Sequence, residues 1–311
     1  MPMEYSLDNG KTWVSLPANT NTPTVPAGKK ILWKSTLNPG DKAGRFKSQR
    51  KYNVTGNIMS VVFGDDFIGK DDLTGYSNVF DNLFRDANIY SAENLCMPAT
   101  TLAESCCFYM FGFSKITYAP NILPATTLAN ECYYCMFRGC SKLINTPQLP
   151  ATTLVESCYN GMFWDCSSLT TTPELPATEM VKQCYDNMFY RCTNLTTAPT
   201  LPATTLAYRC YCGMFANCTS LVTVPELPNT TLAEECYKGI FQGCTSLVNA
   251  PVLPATTLAR GCYDTMFRYC TALTTAPELP ATTLAQLCYY YMFDGCTSLT
   301  TAPELPATAL T

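Results

Sequence analysis

The chain has no histidine among its 311 residues. That removes the commonest general base, and with it the Ser-His-Asp and Cys-His arrangements of nucleophilic catalysis. It also has no phosphate-cradling glycine loop and no carboxylate pair set apart from its surroundings. No catalytic residue and no cofactor is expected, and the function reads as non-enzymatic. Charged residues make up 14% of the chain, against an ordinary fraction of about a quarter. The net charge is −4 and no basic stripe exists, which argues against nucleic acid as a partner. The most basic stretch, Arg45–Lys51, reads as a solvated strand or loop. No apolar run is long enough to cross a bilayer, so no membrane insertion is expected. Met1–Tyr5 carries neither the basic nor the apolar segment of an export signal.

What the chain does have is a repeat of 26 residues. Leu-Pro at Leu123-Pro124 returns at Leu149-Pro150, Leu175-Pro176, Leu201-Pro202, Leu227-Pro228, Leu253-Pro254, Leu279-Pro280 and Leu305-Pro306 without a slip. A fixed period of this length signals a solenoid, in which each unit buries its apolar face only against its neighbours. The chain stops at Ala307–Thr311, a few residues into a new unit and without the polar cap a solenoid needs. That reads as part of a longer parent chain.

Within one unit, Leu206, Ala207, Cys210, Tyr211, Met214 and Phe215 follow steps of one, three and four. This spacing predicts a short amphipathic helix from Thr205 to about Phe215. Gly139, Gly243 and Gly295, with Asn217 and Asp165 in other copies, stand where a left-handed helix end is expected. The stretch Cys218–Pro225 is short and β-branched and reads as a strand. The expected fold class is therefore an α/β repeat solenoid of strand–turn–helix units. Strands about 4.8 Å apart against helices about 8–10 Å apart would curve it, with strands inside.

Nineteen cysteines invite a chemical reading. Most fall on two ladders, Cys106 to Cys288 and Cys140 to Cys296, each with the repeat period. Helix geometry would hold the two ladders about 12 Å apart, and neighbouring helices about 8–10 Å apart. Both exceed disulfide reach, so buried free thiols are expected. Cys132-x-x-Cys135 is a lone pair without histidine, and no metal site is expected.

The copies differ mainly on one face. After Cys-Tyr the chain holds Tyr134, Asn160, Asp186, Cys212, Lys238, Asp264 and Tyr290. After Met-Phe it holds Arg138, Trp164, Tyr190, Ala216, Gln242, Arg268 and Asp294. Tyr, Trp and Arg are enriched at interaction hot spots. Tyr134, Arg138, Trp164, Tyr190, Lys238, Arg268 and Tyr290 are the candidate binding residues, on the predicted helix face. A threonine carpet on the strand face, for example Thr170-Thr171 and Thr196-Thr197, is a second surface suited to a repetitive ligand such as a glycan.

Residues 1–60 do not repeat and read as a small β-rich domain or cap. Asn9-Gly10 lies between two strand-like stretches, a strong hairpin signal, and Val25, Ile31–Trp33 and Tyr52–Val54 suggest further strands. Residues 61–122 hold degenerate units, the second with Phe113 in the place of the second cysteine. Regular units fill 123–311.

The unit Met292–Pro303 resembles the BspA-like leucine-rich repeats of Bacteroidota surface proteins, some parasitic protists and gut phages. The core pattern Ala-Phe-x-x-Cys-x-x-Leu of that family is matched by Met214–Leu221, with Met for Ala. Family units of about 23 residues differ from the 26 here by an insertion around Pro-Glu-Leu-Pro. Asn53–Ser60 is similar to the opening segment of the gut-bacterial subgroup, and the resemblance covers about residues 53–311. It implies an extracellular or cell-surface module that adheres to a protein or glycan. A virion component, such as a tail fibre or decoration protein binding a host receptor, is the alternative. It implies no catalytic residues.

Overall fold

A computed structural model describes residues 3–17, 20–22 and 24–310. Met1, Pro2 and Thr311, and the readings made on them, lie outside the described residues. At the amino end, β1 (Met3–Ser6) pairs antiparallel with β2 (Val14–Leu16) and with β3 (Leu32–Lys34). Asn9 and Gly10 take left-handed φ in the β1–β2 connection, as their residue types favour. Ser6 and Asp8 hold that connection with hydrogen bonds to the Gly10 and Thr12 amides. Val25 is not in a strand, whereas Leu32 and Trp33 are.

Pairing onto the solenoid begins before residue 60. The amides of Leu37, Ala43, Phe46, Val54 and Ile58 donate to carbonyls of Val62, Val79, Leu83, Ser91 and Cys96. Here β4 (Tyr52–Asn53) lies parallel to β6 (Ile89–Ser91), and β5 (Gly56–Asn57) parallel to β7 (Leu95–Cys96). The sole α-helix among the described residues is one turn, α1 (Ser60–Phe63).

The helix expected over 205–215 does not form, so the units are not strand–turn–helix. The stretch is instead a chain of overlapping β-turns. Cys210, Cys212, Met214, Ala216 and Cys218 donate to the carbonyls three residues back. The alternate residues Arg209, Tyr211, Gly213, Phe215 and Asn217 donate to carbonyls of the next coil, at Glu234, Cys236, Lys238, Ile240 and Gln242. Every backbone donor over this stretch is thus used, half within the coil and half between coils, which meets the requirement that buried amides be paired.

Left-handed φ recurs every fourth residue, at Arg209 (53°), Gly213 (58°) and Asn217 (61°), and likewise at Glu235, Gly239 and Gly243. The left-handed conformation expected at Gly139, Asn217 and their equivalents is present, but as the last of three such positions rather than as a helix end. Gly139 and Gly295 are needed for a second reason. A Cβ at either would run into Phe113 or Tyr269 of the preceding coil.

The remaining arcs touch through single parallel bridges, such as Thr197↔Thr223, Asn249↔Thr275, Thr101↔Thr127 and Thr231↔Thr257. Further along the Thr231↔Thr257 column, towards the carboxyl end, a strand pair forms, β8 (Thr283–Leu284) with β9 (Ala309–Leu310).

The core is a set of ladders. Tyr133, Tyr159, Tyr185, Tyr211, Tyr237, Tyr263 and Tyr289 stack with ring centroids 5.7–6.1 Å apart. A phenylalanine ladder runs from Phe84 through Phe111 and Phe137 to Phe293 at 5.2–6.1 Å. Phe46 extends it, and Trp33 closes it edge-on at 4.9 Å. Spacings near 6 Å are far from the 8–10 Å of packed helices, so the mismatch argument for curvature loses its basis.

All cysteines except Cys96 are buried, and all are free thiols. The helix distances used to separate them do not apply. What holds the second ladder is specific: each Sγ from Cys140 to Cys296 donates to the phenylalanine carbonyl of the preceding coil at 3.0–3.2 Å. Ser114, not Phe113, occupies the cysteine place in the degenerate unit, with its Oγ 3.6 Å from the Cys140 Sγ. Burial raises these thiols, Cys140 to about 12. They are protonated hydrophobes rather than nucleophiles.

Candidate functional site

The turn chain turns two residues inward and two outward in each period of four. Cys210-Tyr211 and Met214-Phe215 fill the core, so residues 208–209, 212–213 and 216–217 and their equivalents lie on the outer side of this arc, where the small ones, Cys212, Gly213 and Ala216, are themselves buried. All seven candidate binding residues lie on it, although it is not a helix face. They divide into three groups.

The first group spans residues 85–190. Tyr134 stacks on Phe108 at 5.0 Å with the rings 6° from parallel. Trp164 packs on Tyr190 at 4.7 Å. Arg138 joins them: its guanidinium lies 3.9 Å from the Trp164 ring, and its Nη1 donates to the Tyr109 hydroxyl at 2.8 Å. Arg85 lies 5.1 Å from the other partner ring, Tyr109, and 5.2 Å from Phe113. Burial raises the Tyr109 phenol to about 12, so it is neutral and supplies no counter-charge. Cation–π contacts of this kind contribute roughly 0.5–2 kcal/mol each, more as water is excluded. Phe113 is 42% exposed, and the other rings are half-buried, which leaves an aromatic surface open to a partner.

The second group contains Lys238, and it is closed on itself. Arg209 bridges Asp186 and Glu235, each at 3.0 Å. Lys238 reaches Asp264 at 2.9 Å and Glu235 at 3.7 Å. Arg260 holds Glu234 at 2.8 Å. Burial raises the Asp186 carboxyl despite the opposing pull of Arg209. Lys238 is thus engaged by acids of its own chain.

In the third group Arg268 pairs with Asp294 at 2.9 Å and lies over Tyr269. Tyr290 packs on Tyr291 at 4.1 Å. This group is distant in the repeat order from Trp164, so the seven residues are not one site.

Phe108, Tyr109, Phe113 and Arg85 were not singled out from the sequence. They stand in the degenerate units, one or two periods before Tyr134, Cys135, Gly139 and Arg138. Extending the column comparison into those units finds them. Among the described residues no three His, Cys, Asp or Glu side chains are grouped to hold a metal, and no helix is long and apolar enough to cross a membrane.

No curated protein and no solved structure matches the chain. A family model does: the BspA type leucine rich repeat region, in six copies, over residues 104–211 and 208–307. Such repeats form solenoids and serve in general as non-catalytic, protein-binding modules. With two-thirds of its length matched, the chain belongs to the BspA-type leucine-rich repeat family.

Proposed function

We propose that the chain is an extracellular adhesion module that engages its ligand through the aromatic surface formed by Phe108, Tyr109, Tyr134, Arg138, Trp164 and Tyr190. The observation that carries this reading is the convergence of Tyr, Trp and Arg from successive coils on one half-exposed face. These residue types concentrate binding energy because they bury large area at little entropic cost. The same reading gives the amino-terminal residues a capping role, with Trp33 and Phe46 at the head of the ring ladder. It gives residues up to about 122 the role of opening units, and residues from 123 that of regular units.

The test is a binding screen of the purified chain against extracellular proteins and glycans, repeated with Trp164→Ala, Tyr190→Ala and Arg268→Ala. Trp164→Ala is expected to weaken the captured ligand by about 30-fold or more, the scale of a hot-spot residue. Arg268→Ala, in a different group, is expected to leave it unchanged. Binding that survives both Trp164→Ala and Tyr190→Ala moves the site elsewhere on the solenoid.

A further inference from the structure

Five arginines lie in the regular repeats, and four have a carboxylate of the same chain. Arg191 is 3.3 Å from Asp165, Arg209 3.0 Å from Asp186, Arg260 2.8 Å from Glu234 and Arg268 2.9 Å from Asp294. Arg138 has none among the described residues. Its Nη1 is taken by a neutral phenol, and its Nε is buried with no hydrogen-bond partner. Arg85, one coil before Tyr109, has no carboxylate partner among the described residues either, and its Nη1 donates to Asn82. Two guanidiniums therefore lie within 6 Å of the centre of one Tyr109 ring, with no acid to balance them, in a chain of net charge −4.

The nearby acids are committed elsewhere. Asp86 takes Arg45 and Lys47, Asp81 takes Lys42, and Glu131 accepts from Ser105. Contact with the aromatic rings restricts the two guanidiniums, which reduces the entropy lost when they bind a carboxylate in a fork-to-fork manner. A ligand bringing carboxylates would complete both cations and cover the rings between them.

We propose that Arg85 and Arg138, held on Tyr109, form a docking clamp for an acidic segment of a partner protein, with Phe108, Tyr134 and Trp164 packing against its apolar side chains. This rests on the reading of the aromatic face as the binding surface and adds its partner's chemistry. A protein is favoured over a glycan because the face combines stacked apolar rings with paired cations, the make-up of a protein interface core, on a family of protein-binding repeats. From Arg85 to Tyr190 the face crosses successive rungs spaced 5–6 Å, a length that roughly 8 extended residues would span.

The probe is a labelled peptide of about that length with alternating Glu and Tyr, compared with its Gln–Tyr analogue by fluorescence anisotropy. The Glu peptide is expected to bind at least about 10-fold more tightly, the scale of a charge-assisted hydrogen bond. Arg85→Gln with Arg138→Gln is expected to remove that preference. Arg138→Lys, which keeps the charge and loses the guanidinium fork, should fall between. Arg260→Gln, whose acid partner is internal, should match the wild type. Each variant is checked by near-ultraviolet circular dichroism, and single Arg85→Gln covers the case in which the double variant does not fold. The proposal is overturned if the Glu and Gln peptides bind alike, if neither binds, or if a sulfated oligosaccharide binds where the Glu peptide does not. If Trp164→Ala abolishes a ligand found in the screen while the Glu peptide shows no preference, the face is a binding surface for a partner of other chemistry. If neither the arginines nor Trp164 matter, both readings fall.

Discussion

Residues 104–182 and residues 183–268 share one core and differ outside it. In both, tyrosines and phenylalanines stack inside and every second amide crosses to the next coil. On the outer surface the first stretch carries rings and an arginine without an acid. The second carries Asp186, Arg209, Glu235, Lys238 and Asp264, which pair with one another. Identical architecture therefore supports two different surfaces. One has valences left for a partner, and the other spends them on holding neighbouring coils together.

The largest test of this contrast is Arg209→Ala against Arg138→Ala. Removing Arg209 strands the buried Asp186 carboxylate, while Glu235 keeps Lys238 and Arg260, and is expected to destabilise the chain by about 3 kcal/mol. Removing Arg138 strands no carboxylate and should remove about 1–2 kcal/mol, the scale of its contact with Trp164 and its bond to Tyr109. Urea midpoints measure both, and equal losses would erase the distinction.

Asn229 offers a smaller, second probe. It stands where other units have alanine, such as Ala203 and Ala255, and accepts from the Tyr237 hydroxyl at 2.8 Å. Tyr211 and Tyr263 have no such partner. Asn229→Ala should lose about 1–2 kcal/mol by leaving a buried hydroxyl unpaired, and Ala255→Asn should recover part of that amount in its own unit. Thermal melts of the two variants decide whether a core hydrogen bond can be moved along the ladder.

Two aspartates then respond to pH in opposite directions. Burial raises Asp186, so the folded chain takes up its proton at a higher pH than the unfolded chain. Its charge opposes folding above that raised value, and the opposition fades as pH falls towards the ordinary 3.8. Wild type should therefore lose stability relative to Asp186→Asn as pH rises through this range, read by urea midpoints at successive pH values. Asp8 is lowered to about 2 by hydrogen bonds from the Thr12 side chain and amide, then from Ser6. Its support of the β1–β2 connection is complete above the ordinary 3.8 and is lost as pH falls through about 2. Trp13 fluorescence should report that local loosening, with both halves of the solenoid unaffected and Asp8→Ala insensitive to it.

The period, the buried ladders and the family were legible because identical residues at fixed spacing leave few packings. The turn chain was not. Cys210, Tyr211, Met214, Phe215 and Cys218 repeat in fours, and over nine residues four is scarcely distinguishable from the 3.6 of a helix. The overlooked signal was glycine: Gly161, Gly213, Gly239 and Gly261 sit inside the supposed helix, where they would weaken it. Gly161, Gly213 and Gly239, with Asp165, Asn217 and Gly243 four residues on, mark left-handed positions instead, and Gly261 marks another. The outer surface was legible residue by residue but not in its grouping, because nothing in one column reveals that Lys238 faces Asp264 while Arg138 faces rings.

The tyrosine ladder also makes the chain an optical instrument. Seven near-parallel phenols about 6 Å apart share one chiral arrangement and are close enough for their electronic transitions to couple. Their signal in the near ultraviolet depends on the stack as a whole and disappears when fixed side-chain packing is lost. Light absorbed along the ladder can pass to Trp164, which is part of the aromatic face. Tryptophan emission then reads both the order of the core and the arrival of a partner at the surface, without any added dye.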